Sequence, residues 1–196
     1  MVHTVHSVQH FTDTAFVVRF DRGGIDFEPG QYVTVGIHGD VDIREYSVFS
    51  APSDDYLEIL VKLVEGGYVS RRLREVVPGD LLDVEGPFGF FTMPEDVRRT
   101  REVLLVATGT GVSPFRSFVR AYPTLRYRLL HGVRHTHELY AKEVFDSERF
   151  VSCVSRGDGG MFRGRVTDYL RSHPAAAGTP CYLCGNCDMI YEAFDI

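Results

Sequence analysis

The clearest chemical signal in the sequence is a strand, a glycine turn and a helix start in succession. Val103–Ala107 is a short apolar run, which is typical of a strand buried on both faces. Thr108–Gly111 follows with two glycines, which let backbone approach a ligand closely. Ser113 and Pro114 then predict a helix N-cap and first helical residue. This order directs free N–H groups at a phosphate, although such a turn can also simply pack a helix on a strand.

A second group of reactive residue types lies in Arg44-Glu45-Tyr46-Ser47. A strand would place Arg44 and Tyr46 on one face and Ser47 on the other or at the strand end. Arg44 can pair with a diphosphate, Tyr46 can stack on an aromatic ring, and Ser47 can offer a hydroxyl. The alternative is an ordinary strand with a surface arginine.

A third group of candidate binding residues contains two arginines. Ser155-Arg156 ends a predicted strand, and Arg165 begins a helix after a glycine-rich loop. These are the carboxyl-end positions at which a doubly wound sheet binds its ligand. Two arginines there favour a 2′-phosphate, whereas a bare ribose is usually met by an acidic residue. Asp158 is the one acidic candidate, and we interpret it as a loop residue.

The elements that must position these residues change in character near residue 99. Before it, short β-rich runs alternate with turns, and a single helix is predicted, with Ser70 as its N-cap and Pro78-Gly79 at its end. The runs are Phe16–Phe20, Tyr32–Val35, Ile43–Phe49, Leu57–Val64 and Leu81–Val84. They predict a small antiparallel barrel or sandwich.

After that point, strands and helices alternate, which indicates βαβ units and a parallel sheet. The predicted strands are Val103–Ala107, Tyr127–His131, Phe150–Val154 and Cys181–Cys184, and helices are predicted from Ser113, around Glu138–Phe145 and around Val166–Leu170. The sequence therefore predicts an antiparallel β barrel in residues 1–98, followed by a doubly wound α/β domain in residues 99–196.

Composition narrows the class of protein. The chain has 196 residues and a net charge of −6, with no basic block, so we expect no nucleic-acid partner. No apolar run approaches the roughly 20 residues that span a bilayer. The N-terminus lacks the features of a secretion signal, and we expect a cytoplasmic protein with no membrane association.

The cysteines suggest a metal centre at first sight. Cys181, Cys184 and Cys187 have the spacing of iron–sulfur ligands, with Cys153 as a distant fourth. A strand over Cys181–Cys184 would point the two thiols to opposite faces, roughly 10 Å apart. We therefore expect no metal site, and we expect Cys153 and Cys181 to be buried on adjacent parallel strands.

Taken together, the motifs resemble those of the ferredoxin–NADP reductase family over nearly the whole chain. Arg44–Ser47 is similar to its R-x-Y-S flavin motif, and Gly66–Ser70 to its pyrophosphate-binding helix start. Gly86–Gly89 is similar to its G-P-x-G turn, Gly109–Pro114 to its pyridine-nucleotide motif, and Cys184–Met189 to its C-G-x-x-x-M segment.

The resemblance implies two cofactors, FAD and NADP(H). The implied FAD ligands are Arg44, Tyr46, Ser47, Val61, Gly67, Val69 and Ser70. The implied NADP(H) ligands are Gly109, Thr110, Gly111, Ser155, Arg156, Arg165, Gly185 and Met189. Ser47 and Cys184 are implied to lie at the hydride-transfer centre and are the predicted catalytic residues.

The function implied is hydride transfer between NADPH and FAD, with electrons passed to a ferredoxin, flavodoxin or similar redox protein. Two alternatives remain open. The chain could be an oxygenase reductase component or a free-flavin reductase, or it could be a non-catalytic electron-transfer or regulatory subunit that needs a partner chain. Family members continue beyond the helix that starts near Met189, so the chain is expected to be truncated at its C-terminus.

Overall fold

The chain forms two compact units. The computed structural model describes residues 1–196, and these divide into Met1–Thr92 and Met93–Ile196. The division falls a few residues before the predicted boundary at residue 98. None of the helices combines the length and the apolar character needed to cross a membrane.

Unit 1 is an antiparallel barrel of six strands and one helix. The strands are β1 Val2–Thr12, β2 Ala15–Asp21, β3 Tyr32–Ile37, β4 Arg44–Ser47, β5 Tyr56–Lys62 and β6 Leu81–Phe88, and the helix is α1 Tyr68–Glu75. Their order in the sheet is β4-β3-β6-β1-β2-β5. An antiparallel bridge between Val48 and Ile59 joins the chain after β4 to β5 and closes the sheet on itself. The predicted barrel is therefore confirmed.

Period-two patterning explains the core of this barrel. Alternate residues of the strands point inward and are almost wholly buried, among them Phe16, Val18 and Phe20 of β2 and Val33 and Val35 of β3. Strand β1 was not predicted, because its sequence is rich in polar residues and histidine and most of its side chains are exposed.

Helix α1 and its C-cap residue cover part of this core with Val69 and Leu73 of the helix and with Val76. Their spacing places them on one helical face. Ser70 is not the N-cap: Gly67 holds that position, and Ser70 lies inside the helix. The prediction of Ser70 as the capping residue is therefore wrong, because its hydroxyl is engaged by the loop before the helix.

Unit 2 is a five-stranded parallel sheet with helices on both faces. The strands are β7 Glu102–Thr108, β8 Arg126–Val133, β9 Phe150–Val154, β10 Phe162–Arg163 and β11 Cys181–Cys184. The helices are α2 Glu95–Thr100, α3 Ser113–Ala121, α4 Val166–Ser172 and α5 Cys187–Phe194. The strand order is β10-β9-β8-β7-β11, and every pair is parallel, which confirms the doubly wound prediction.

Several local predictions for unit 2 are wrong. No α-helix forms over Glu138–Phe145; two single 3₁₀ turns, Thr136–Glu138 and Lys142–Val144, flank Ala141, whose φ of 53° is left-handed and breaks a helix. Ser113 is the first residue of α3, and Val112 is its N-cap.

The cysteine placement also differs from expectation. Cys153 is fully buried in β9, but Cys181 is exposed. β9 and β11 are separated by β8 and β7, so these two cysteines do not lie on adjacent strands.

Candidate cofactor-binding sites

Strand β4 presents the predicted flavin-motif residues on two faces. Tyr46 pairs with Val33 and Arg44 with Val35, so both share the face of two core residues. Ser47 pairs with Tyr32 on the opposite face. The strand-face prediction is confirmed by this register.

Tyr46 and Arg44 differ in burial and in charge. Tyr46 is half-buried against the barrel core, and burial raises the pKa of its phenol to about 12, so it stays neutral. The Arg44 side chain is 60% exposed; its guanidinium donates to the Ile43 carbonyl at 2.6 Å and lies 3.8 Å from Asp42. An exposed pair of this kind is weak, so Arg44 is available to an anion.

The start of α1 has the features of an anion site. No side chain caps its N-terminus, so the first N–H groups lack protein acceptors. Gly66 adopts a φ of +73°, and the Gly67 N–H donates to the Val64 carbonyl at 2.9 Å. The Ser70 hydroxyl accepts the Val64 N–H at 3.1 Å. Val64–Gly67 is therefore folded back on the helix that it precedes.

Val61 and Val69 are placed differently from the other predicted FAD ligands. Both side chains are almost wholly buried in the barrel core. They can shape the barrel wall beneath a ligand, but their side chains are not accessible to one.

The Ser70 hydroxyl offers a test of the α1 site. Ser70→Ala removes the acceptor of the partly buried Val64 N–H, and we expect FAD to bind roughly fivefold more weakly, since one such hydrogen bond is worth about 1 kcal/mol. Fluorescence titration of the apoprotein with FAD measures the change. Ser172→Ala, which removes a hydroxyl at the end of α4, is the control and should leave FAD affinity unchanged. Equal FAD affinities of the wild type and both variants would contradict the assignment of the α1 start to FAD.

The glycine turn of unit 2 is held against the end of β11. After β7, Gly109–Val112 forms a 3₁₀ turn that continues directly into α3. A Cβ on Gly111 would overlap the Cys184 carbonyl group. Gly185 has a φ of +135°, and a Cβ there would overlap Thr108. The two motifs therefore interlock, and both glycines are required by close backbone approach.

A hydrogen bond adds to this interlock. The Thr108 hydroxyl accepts the Asn186 N–H at 2.8 Å. Asn186 in turn caps α5 by accepting the Met189 N–H at 3.2 Å. Asn186 was missed as a positioning residue, although an asparagine before a helix is a recognised N-cap signal. Because β7 and β11 are the neighbours at which the strand order reverses, this is where open α/β sheets bind ligands.

Cys184 is the last residue of β11, before Gly185, and Met189 lies in helix α5, after it. Cys184 is partly buried, and burial raises the pKa of its thiol to about 11, so it carries no charge near neutral pH. The Met189 side chain is 6% exposed and belongs to the core between the sheet, α4 and α5. Thr110 is only partly buried at the turn, whereas the Met189 side chain is not accessible to a ligand.

The predicted arginines follow two neighbouring strands. The Ser155 N–H and hydroxyl both donate to the Val133 carbonyl, at 3.0 and 3.2 Å, which fixes the chain after β9. Arg156 comes next; its side chain is exposed and forms no ion pair within the chain. Arg165, also exposed, precedes α4 and donates its backbone N–H to the Asp168 carboxylate at 3.0 Å.

Pairing of β9 with β10 brings both arginine-bearing segments to the same sheet edge. Asp158 is almost fully exposed and lies 4.0 Å from Arg163, as a loop residue would. The carboxyl edge of the sheet therefore offers two exposed guanidinium groups, which is a donor set suited to a phosphate.

Comparison with known proteins agrees with this architecture. Residues 3–93 match the family model "Oxidoreductase FAD-binding domain", and residues 105–194 match "Oxidoreductase NAD-binding domain". Similar proteins include the ferredoxin–NADP reductase of Azotobacter vinelandii, 30% identical over 193 residues that cover 87% of this chain and 74% of that protein.

The propane 2-monooxygenase reductase component of Mycolicibacterium goodii is also 30% identical, over 88% of this chain and 55% of that protein. The chain thus spans about half the length of the oxygenase reductases it matches. Among solved structures, a ferredoxin NADP+ reductase from Neisseria gonorrhoeae with bound FAD and NADP superposes with a TM-score of 0.90 at 22% identity, over 100% of this chain and 89% of that one.

The barrel and the sheet together define an FAD- and pyridine-nucleotide-binding oxidoreductase architecture. The chain belongs to the ferredoxin–NADP reductase family. The predicted family, fold class and pair of cofactor-binding domains are confirmed.

Proposed function

We propose that this chain is an NADPH-dependent FAD oxidoreductase that passes electrons to a separate redox protein. The observation that carries the proposal is the interlock of Gly109–Gly111 with Cys184–Gly185 at the reversal of strand order. Such close backbone packing at a glycine turn positions main-chain N–H groups for a dinucleotide pyrophosphate.

The residues of unit 1 fit FAD. Arg44 and the uncapped start of α1 would neutralise the pyrophosphate, and Tyr46 and Ser47 would contact the ring system. FAD, when bound, supplies hydride acceptance and the release of single electrons. Tyr46 is neutral at all physiological pH values, so its contribution is packing and hydrogen bonding rather than proton transfer.

The residues of unit 2 fit NADP(H). Arg156 and Arg165, with Ser155, would bind the 2′-phosphate, and the glycine turn with Thr110 would bind the pyrophosphate. Cys184 and Gly185 would border the nicotinamide. The Cys184 thiol is protonated, so it can pack against the nicotinamide ring without acting as a nucleophile.

The electron acceptor is proposed from the relatives. Their names include ferredoxin–NADP reductases and reductase components of oxygenases, so we propose a ferredoxin, a flavodoxin or an oxygenase component as partner.

All four cysteines are free thiols, which supports a cytoplasmic location.

The decisive experiment is anaerobic absorption spectroscopy of the FAD-loaded protein. We expect flavin absorbance to bleach rapidly on addition of NADPH and more slowly with NADH. A flavin that binds but does not bleach with either nucleotide would favour a non-catalytic subunit. Failure to bind FAD after reconstitution would overturn the proposal.

Nucleotide preference follows from the two arginines. We expect Arg156→Ala and Arg165→Ala each to lower kcat/KM for NADPH about tenfold, because each removes one charge-assisted hydrogen bond to phosphate. The value for NADH should stay nearly constant, since NADH lacks that phosphate. Steady-state kinetics with a soluble electron acceptor measures both.

The control is Arg99→Ala on α2, whose guanidinium is already paired with Glu95 at 2.6 Å. It removes the same charge from the same unit and should leave the ratio of kcat/KM for NADPH to kcat/KM for NADH unchanged. A parallel fall for NADPH and NADH in the Arg156 and Arg165 variants would contradict the 2′-phosphate assignment.

A further inference from the structure

His131 is the one fully buried histidine of unit 2, and it contacts the glycine turn. It lies in β8, and its Nε2 atom is 2.9 Å from the Gly109 carbonyl oxygen. The rings of Tyr140 and Phe150 pack around it, with centroids 6.4 and 6.1 Å away. A polar side chain in such a place is costly unless its hydrogen bond is maintained.

The hydrogen bond fixes the tautomer of His131. A carbonyl oxygen only accepts, so Nε2 must carry the proton. Nδ1 is then an unprotonated nitrogen, and it has no partner within the protein. Burial lowers the pKa of the imidazole to about 4, against smaller opposing effects of the Gly109 hydrogen bond and of Glu138, so the neutral ring persists at physiological pH.

The bond also fixes the orientation of one peptide plane. In a trans peptide, the carbonyl of Gly109 and the N–H of Thr110 point in opposite directions. Because His131 draws the Gly109 carbonyl into the sheet, the Thr110 N–H is directed away from it. That N–H lies in the first turn of the 3₁₀ segment, where it has no acceptor within the helix.

Gly109 lies between two segments that are each held by a hydrogen bond. Its φ of +54° is left-handed, and a Cβ there would meet nothing within 4 Å. The chain before Gly109 is tied to Asn186 by Thr108, and the chain after it is tied by the Ser113 hydroxyl, which donates to the Thr110 carbonyl at 2.8 Å. The hydrogen bond from His131 attaches the Gly109 carbonyl between these two points.

We propose that His131 is a positioning residue that presents the Thr110 N–H to a phosphate group of the bound pyridine nucleotide. This inference rests on the proposed function, because it assigns NADP(H) to the glycine turn. It predicts that removing the Nε2 donor weakens nucleotide binding and leaves FAD binding unchanged.

Three variants separate the hydrogen bond from packing. His131→Leu removes the donor, and we expect the Kd of the FAD-loaded protein for NADP+ to rise about tenfold, as for the loss of one buried hydrogen bond. His131→Gln keeps an N–H group near the Nε2 position and should restore most of the affinity. Phe150→Leu disturbs the same packing without touching the bond and should change the Kd less than about twofold.

Isothermal titration calorimetry gives the Kd, and the flavin absorbance reports FAD content. A His131→Leu protein that binds NADP+ as tightly as wild type would overturn the inference, as would a His131→Gln protein that binds as weakly as His131→Leu. A wild-type protein that binds FAD but not NADP+ would overturn the proposed function and this role with it.

One measurement needs no variant. In a ¹⁵N-labelled wild-type protein, the His131 imidazole should show a protonated Nε2 and an unprotonated Nδ1 from pH 7.5 to pH 5.5. The Thr110 amide should be among the signals that shift on addition of NADP+. The opposite tautomer, or a Thr110 amide that does not respond, would overturn the inference even if the variants failed to fold.

Discussion

Gly111→Ala is expected to lower NADP+ affinity more than about 100-fold and to destabilise unit 2 by about 3 kcal/mol. The added Cβ would overlap the Cys184 carbonyl carbon and oxygen, which belong to the backbone at the end of β11 and cannot rotate away. The glycine turn and Cys184–Gly185 would have to separate, and the surface for the nucleotide would open. Isothermal titration calorimetry with NADP+ and chemical denaturation measure the two effects.

Gly109→Ala is the matched control, two residues away in the same turn. A Cβ there meets nothing within 4 Å, so the substitution costs only the strain of a φ of +54°, about 1 kcal/mol. FAD content should be equal in both variants, because the residues assigned to FAD lie in unit 1. If Gly109→Ala proved as harmful as Gly111→Ala, backbone conformation rather than close approach would govern the turn.

The stability of unit 2 is expected to fall by about 3 kcal/mol between pH 6.5 and pH 4 through His131 alone. Its pKa is about 4 in the folded protein and near its usual 6.5 when unfolded, because burial disfavours the charged ring. In that interval the unfolded chain binds a proton that the folded chain does not. The contribution is therefore complete above pH 6.5 and is lost progressively as the pH falls to 4.

His131→Phe isolates this contribution, since it keeps a ring in the site and removes the titration. Hydrogen exchange of the β7, β8 and β9 amides at pH 7, 6 and 5, corrected for intrinsic rates, should show a shallower loss of protection in the variant. Glu192, whose pKa is lowered chiefly by its hydrogen bond with Arg171, also loses stabilisation in acid, but it does so equally in both proteins. Parallel pH profiles would show that His131 does not titrate as its burial requires.

The parts of the fold that were predictable are those encoded locally. The apolar run of β7, the glycines after it and the alternating residues at the start of β3 each specify an element without reference to distant parts of the chain, and each is present in the structure. The glycines at 111 and 185 were recognisable as a motif, but their mutual contact was not, because it joins segments that are far apart in sequence.

The missed features depend on long-range contacts. β1 pairs with β6 through Val2 and Asp83, and β10 is a two-residue strand that exists only because it pairs with β9. The 3₁₀ turns around Ala141 depend on one left-handed residue with no glycine to mark it. His131 was visible as a histidine in an apolar strand, but nothing near it indicated the Gly109 carbonyl.

The division at Thr92 has a consequence for synthesis on the ribosome. All six strands of the barrel, and the bridge that closes it, lie within the first 92 residues. The parallel sheet instead needs β11, which follows the other four strands of its sheet in the sequence, to pair with β7. Since domains fold as units and residues emerge in chain order, we expect the barrel to fold co-translationally while the second unit still waits for β11 to emerge.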